Sequence, residues 1–251
     1  MKIVVIGGTG LIGRNLVSIL RDQGHEPVVA ARSHGIDAFT GKGLASALNN
    51  SDVVVDVSNS GYARASDMVR FFEGSGITLL AAELLANVAH HVVLSAVGTG
   101  ALRDVGYFRA KHAQEELVRA SGMPFTIVRS APFFEFLYNI VDTGGSGNQI
   151  RVPPVSMEPV SAYDVAAMLA EIAVSQPENA IVEVAGPDRY LLHDLAEEIL
   201  VANEDLRDLK ADALAHYFGG PIGGEPLVAA AAARRTHGRF EDWLRQSLVV
   251  A

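Results

Sequence analysis

The chain contains no cysteine. That excludes disulfides, thiol nucleophiles and cysteine-held metals, and it fits a reducing, cytoplasmic setting. Basic residues are the minority, 20 Lys and Arg against 29 Asp and Glu, for a formal net charge of −9. No block of Lys and Arg stands out, so there is no electrostatic footprint for nucleic acid. Long apolar runs are also missing: Glu83, Asn87, His90 and His91 interrupt the best candidate for a membrane span. The opening apolar run stops at glycines and is followed by Arg14 and Arg21, which is not the pattern of a secretory leader. The expectation is a soluble protein with neither nucleic acid nor membrane as partner. His90 and His91 are neighbours whose side chains should diverge, and no H-E-x-x-H is present, so no metal site is expected.

What the chain does have is 49% hydrophobic residues over 251 positions, enough for one two-sided α/β core with a small appendage. The organising stretch is the first 33 residues. Residues 2–6 form a short, mostly β-branched run that reads as a buried strand. Gly7-Gly8-Thr9-Gly10-Leu11-Ile12-Gly13 follows, then Ile12, Leu16, Ile19 and Leu20 at helical spacing, then Gly24 where a helix ends. Residues 27–31 are a second apolar run. Strand, glycine turn, helix and strand within some thirty residues make a dinucleotide-binding βαβ unit. One glycine permits the tight turn, one lets the backbone approach a pyrophosphate, and one lets helix and strand lie close. Two registers fit: Gly7, Gly10 and Gly13, or Gly8, Gly10 and Gly13. Thr9, Leu11 and Ile12 complete the expected phosphate cradle.

The end of the second strand indicates which dinucleotide. NAD-binding units usually carry Asp or Glu there for the ribose 2′-hydroxyl. Here the residues are Ala30-Ala31-Arg32-Ser33. Arg32 can fork onto a 2′-phosphate and Ser33 can add a hydroxyl, so NADP is the expected cofactor. Asn59, in the loop after the strand at 52–57, faces the same rim as either a ribose contact or a simple turn former.

Downstream the pattern predicts a strand at 36–40, a helix at 43–49, helices at 65–72 and 78–89, a strand at 92–95, a helix at 105–121 and a strand at 125–129. Alternating strands and helices require a parallel sheet covered on both faces. The remainder reads differently. Phe133, Phe134, Phe136 and Tyr138 form an aromatic segment with Glu135 as a pocket carboxylate or a solvated acid. Residues 142–148 read as a mobile Gly- and Ser-rich loop. Ser161 and Asp164 resemble a capping box. A strand at 180–185, an amphipathic helix at 193–203 and a docking helix around Phe240, Trp243 and Leu244 complete the chain. The expected division is a Rossmann domain at 1–132 and a substrate lobe at 133–251, with a return to the core around 156–176, as one compact unit.

Candidate chemistry sits in Gly106-Tyr107-Phe108-Arg109-Ala110-Lys111. Tyr107 and Lys111 are four apart and share a helix face, where an ammonium lowers the phenol's pKa toward working pH. Lys111 can also bond the nicotinamide ribose. Ser95 ends the preceding strand and is the candidate donor to a substrate oxygen.

The segments GGTGLIG, ARS, VVLSAVG, GYFRAKHAQEELVRASGMPFTIVRSAPFFEF and VEVAGP resemble the NmrA-like branch of the atypical short-chain dehydrogenase/reductases over nearly the whole chain. The resemblance implies a doubly wound Rossmann sheet with a small C-terminal lobe and NADP as cofactor. It implies Ser95, Tyr107 and Lys111 as a catalytic trio, with Gly7, Gly10, Gly13 and Arg32 as cofactor contacts. Two functions follow as expectations. One is an NADP(H)-dependent oxidoreductase acting on a small carbonyl or quinone-like substrate. The other is an NADP(H)-sensing regulator without turnover, since the branch includes such members. A homodimer is a candidate assembly.

Overall fold

In the computed structural model, residues 1–61, 64–218, 220–224 and 226–249 are described, Val249 by its backbone alone. The first half alternates as expected: β1 (Lys2–Ile6), α1 (Leu11–Asp22), β2 (Glu26–Ala30), α2 (Leu44–Leu48), β3 (Val53–Asp56), α3 (Ala65–Ala86), β4 (His90–Ala96), α4 (Gly106–Ala120) and β5 (Phe125–Ser130). There follow α5 (Phe134–Thr143), β6 (Gly145–Ser146), β7 (Gln149–Val152), β8 (Ser156–Met157), α6 (Ala162–Ala173) and β9 (Ala180–Ala185). The chain ends with β10 (Tyr190–Leu191), α7 (Leu192–Ala202), β11 (Asp208–Ala211), β12 (His216–Tyr217), β13 (Gly220–Pro221), β14 (Arg234–Arg235) and α8 (Phe240–Val249).

The main sheet has seven strands in the order β14-β9-β5-β4-β3-β1-β2, and every pairing is parallel. This is the expected doubly wound, Rossmann-like sheet. Because strand side chains alternate, its apolar runs feed two cores. Ile3, Val5, Val55, Val92 and Leu94 point to one face, against α1 and α6. Val4, Ile6, Val54, Val93 and Ile127 point to the other, where α2, α3 and α4 lie. Strand order reverses between β1, which continues to β2, and β3, which leads away on the other side. A crevice therefore opens beyond the carboxyl ends of these strands.

The boundary at residue 132 is less sharp than expected. Helix α6 packs on α1, and β9 and β14 extend the main sheet, so the return to the core runs well past residue 176. The Ser161 hydroxyl caps α6, accepting from the Asp164 N–H at 3.0 Å. The lobe proper has its own core of Phe134, Leu137, Ile150, Leu195, Ile199 and Tyr217. Helix α8 docks there through fully buried Phe240, with Trp243 against Phe134 at 5.6 Å between ring centres.

Three local expectations are corrected. Residues 36–40 form a turn rather than a strand, because Asp37 Oδ1 accepts the Phe39 N–H at 2.9 Å and folds the chain on itself. The helices at 65–72 and 78–89 are one helix, α3, running through Gly74-Ser75-Gly76. Its glycines are packing sites: a Cβ on Gly74 would lie 2.5 Å from the Phe39 ring. Residues 142–148 are the end of α5 and a tight β6–β7 hairpin rather than a long mobile loop. Glu83, which broke the longest apolar run, is buried and accepts from or shares a proton with His91 Nδ1 at 2.9 and 3.0 Å. His90 turns the other way, to Thr126 at 2.9 Å. Among the described residues no helix is long and apolar enough to cross a membrane.

Removing one member of a buried ion-pairing couple strands the other in a low dielectric. Glu83→Ala is therefore expected to cost about 3 kcal/mol of unfolding free energy, read as a lower urea midpoint at unchanged slope.

Candidate functional site

The glycine turn is tight at Gly7, Gly8 and Gly13. Gly7 has φ +79°, a left-handed conformation, and an added Cβ there would sit 2.9 Å from the Ser58 backbone. Gly13, on the first turns of α1, has no room at all: a Cβ would come within contact of the Gly7 carbonyl and Gly8 Cα. Gly10 is the N-cap of α1 and offers no side-chain cap, and the first turn holds no acid. The opening N–H groups of α1 are thus left for an external anion, with the positive end of the helix dipole behind them. Leu11 and Ile12 of this turn line a cavity of about 670 Å³.

That cavity touches the carboxyl ends of five neighbouring strands, through Ala30 and Ala31, Ile6, Val57, residues 94–97 and residues 130–133. Adjacent strands lie about 4.8 Å apart, so it extends over roughly 19 Å. This is a long cleft suited to an elongated ligand. At one end are Arg32, Ile36, Ala38 and Phe39, with Arg70 of α3. Arg32 opens a short 3-10 turn and is exposed, and its guanidinium has no polar partner among the described residues. Ser33 does not line the cleft; its hydroxyl faces His34 Nδ1 at 3.1 Å, while the Arg32 and Arg70 side chains do line it. Asn59 and Thr9 line the cleft and are exposed.

At the other end are Tyr107, Lys111, Ser95 and an aromatic wall of Phe133, Phe136, Tyr217 and Phe218. The aromatic segment thus divides: Phe133 and Phe136 face the cleft, while Phe134 and Tyr138 pack in the lobe. Glu135 is neither a pocket carboxylate nor solvated. It accepts the Ala162 N–H at 3.1 and 3.2 Å, at the head of α6. Tyr107 is half-buried, and its N–H donates to the Phe218 carbonyl at 3.3 Å, which pins the lobe segment to the start of α4.

Lys111 is buried beside it. Its Nζ donates to the Leu94 carbonyl at 2.8 Å and to Gln114 Oε1 at 2.9 Å, and lies 4.1 Å from the centre of the Phe72 ring. Burial pulls its pKa down to about 8, opposed by the negative charges of Asp56 and Glu115. Ser95 is oriented differently from expectation. Its hydroxyl donates to Glu115 Oε1 at 2.6 Å, and Glu115 in turn holds Arg129 at 2.8 and 2.6 Å. With its proton so committed, Ser95 offers the cleft lone pairs rather than a donor. Asp56, Gln114, Glu115 and Arg129 are polar residues that no motif flagged; they sit on the buried faces of elements whose pairing is only set by the fold.

An uncapped helix N-terminus, a glycine cradle without room for side chains and a facing arginine fit a dinucleotide's phosphates. The family model described as NAD(P)H-binding matches residues 7–176. The chain belongs to this NAD(P)H-binding family. Its cradle and cleft both fall mainly within the matched stretch. It is also 29% identical over 155 residues to the Photosystem II assembly factor Ycf39 of Synechocystis sp., covering 55% of this chain and 46% of that relative. The chain therefore matches less than half the length of that relative. Solved structures with the same fold include a UDP-N-acetylglucosamine 4-epimerase from Bacillus cereus (TM-score 0.73, 17% identity, 100% of this chain and 96% of that one). A dTDP-4-dehydrorhamnose reductase from Bacillus anthracis in complex with NADP aligns with a TM-score of 0.73 at 12% identity, over 100% and 99% of the two chains.

Gly13→Ala would force α1 away from the turn. A displacement costing at least about 1.4 kcal/mol of phosphate contact means about tenfold weaker NAD(P)H binding. Calorimetry on the folded variant, checked by circular dichroism, reads this directly.

Proposed function

We propose that this protein is an NADP(H)-dependent oxidoreductase of the atypical short-chain, NmrA-like type, acting on a small carbonyl or quinone-like substrate. The observation that carries the reading is that one cleft collects the phosphate cradle, Arg32 and the Tyr107–Lys111 pair. When bound, the nicotinamide supplies or receives the hydride. Thr9, Leu11 and Ile12 would hold the diphosphate through backbone N–H groups, with Gly10, whose own N–H goes to the Gly7 carbonyl at 2.9 Å, leaving room for its approach, and Arg32 would select NADP by pairing with the 2′-phosphate. Tyr107 passes its hydroxyl proton to the substrate oxygen as charge develops there. Lys111 has three donors, two of which are held by Leu94 and Gln114; the third serves the ribose, and the ammonium stabilises the tyrosinate.

The substrate end supports an apolar, flat molecule. Tyr107, Phe133, Phe136, Tyr217, Phe218 and Leu227 carry no formal charge, and the cations lining the cleft are Arg32, Arg70 and Lys111 among the described residues. A nucleotide sugar of the kind named for the fold neighbours would bring a second diphosphate with no cation on the lobe side to meet it.

A second reading rests on Ser95. A serine whose proton goes to Glu115 is not posed to polarise a substrate oxygen, and the sequence relative is named as an assembly factor. Both observations favour an NADP(H) sensor whose cofactor state changes a partner's behaviour.

Two measurements separate these readings. Against a panel of quinones and small aldehydes and ketones, Tyr107→Phe is expected to lose about 10²-fold or more in kcat while retaining NADPH affinity. Tight NADPH binding by wild type with no turnover on any panel member selects the sensor. Arg32→Ala is expected to weaken NADPH binding by about 1.5–3 kcal/mol, the worth of a charge-assisted contact, and to leave NADH binding unchanged. Equal loss for both cofactors overturns the NADP assignment.

A further inference from the structure

Below the cleft a chain of buried polar groups joins Lys111 to the loop after β3. Lys111, Gln114 and Asp56 are each about 2–3% exposed. Lys111 Nζ donates to Gln114 Oε1 at 2.9 Å, Gln114 Nε2 donates to Asp56 Oδ2 at 2.9 Å, and Asp56 Oδ1 accepts the Ser58 N–H at 2.9 Å. The chemistry allows one orientation of the amide. An ammonium can only donate and a carboxylate only accept, so Gln114 must turn its oxygen to Lys111 and its nitrogen to Asp56. Ser58 adjoins Gly7 in the phosphate cradle and precedes Asn59 on the rim. The chain therefore ties the lysine to the cradle across residues from three separate elements.

We propose that Asp56 and Gln114 are positioning residues, which orient the Lys111 ammonium toward the cleft and keep it charged through the amide bridge. This rests on the oxidoreductase reading for its catalytic meaning but not for its test. The alternative cause of a charged lysine would be Glu115, which is itself occupied by Ser95 and Arg129. From α3, Phe72 faces the ammonium and Glu83 faces Asp56; from β4, His91 also faces Asp56; Tyr107 stands one turn before Lys111 on α4. None of these supplies the direct hydrogen bond that Gln114 makes.

The test titrates Lys111 itself in the cofactor-free protein. The chain has only four lysines, so an isotope-labelled lysine spectrum is simple, and Lys111→Arg identifies the resonance. Wild-type Lys111 is expected to titrate near pH 8. In Asp56→Asn the anion is lost and the new amide nitrogen must oppose either the Gln114 amide nitrogen or the Ser58 N–H, so Lys111 is expected to titrate about one pH unit lower. In the double variant Asp56→Asn/Gln114→Glu, amide and carboxylate exchange places and every hydrogen bond is restored. The anion then touches the ammonium, and Lys111 is expected to titrate about one unit above wild type. A lysine that titrates with wild type in both variants overturns the proposal; if the single variant fails to fold, a double variant at or below wild type does so alone. A purely structural role predicts no such opposite shifts. The alkaline limb of kcat/KM is expected to follow the same order. Shifted lysines in a protein without turnover would uphold the positioning role and remove the oxidoreductase reading.

Discussion

The cleft depends on a contact between backbones. Gly13 on α1 lies against the carbonyl of Gly7, and Gly7 lies against the backbone of Ser58 after β3. No side chain fits at either point, so helix, turn and neighbouring loop are locked at fixed separations. The consequence is electrostatic as well as steric. Holding α1 this close to β1 aims its uncapped N–H groups, and the positive end of its dipole, at the strand-order reversal where the crevice opens. The cradle is thus a property of main chain, with the exposed Arg32 side chain at the other end of the same cleft from Tyr107.

Beneath that main-chain site lies an unusually polar layer. Asp56, Gln114 and Lys111 form one hydrogen-bonded chain, Ser95, Glu115 and Arg129 another, and Glu83 with His91 a third couple. Burying charge costs several kcal/mol per ion unless it is paired and bonded. These groups are paired throughout, so the arrangement is tolerable, and each polar partner restricts where the next can point. Such a layer trades stability for orientation. It lies at the floor of the cleft, where it fixes how the Lys111 ammonium is held.

The features legible in the sequence were those whose cause is local. The glycine spacing, the alternation of strand and helix, the Ser161 cap and the four-residue spacing of Tyr107 and Lys111 all depend on neighbours a few positions away. Residues 180–185 read as a strand and are β9. The polar layer could not be read this way. Asp56 and Gln114 are 58 positions apart, and Ser95 and Glu115 are 20 apart; only the parallel stacking of β3, β4 and α4 brings them together. The same limit explains α3. Gly74 and Gly76 look like a break locally, yet Phe39 and Leu117 pack over them and the helix continues. Ser95 was readable as a rim serine, but not the carboxylate that claims its proton.

The two ends of the cleft are made from different materials, and that difference bears on what the fold shares with its neighbours. At 12–17% identity the neighbouring structures keep the whole architecture, as expected where the essential contacts are between backbones and glycines. The Tyr107 end is instead side chain: Tyr217, Phe218 and Leu227 arrive from the lobe, tied among other contacts by the Tyr107 N–H on the Phe218 carbonyl and the Leu227 N–H on the Ser156 carbonyl. Replacing such a wall leaves the cradle untouched. Fold likeness at this identity speaks for the architecture alone, and the lining beside Tyr107 is uncharged and largely aromatic.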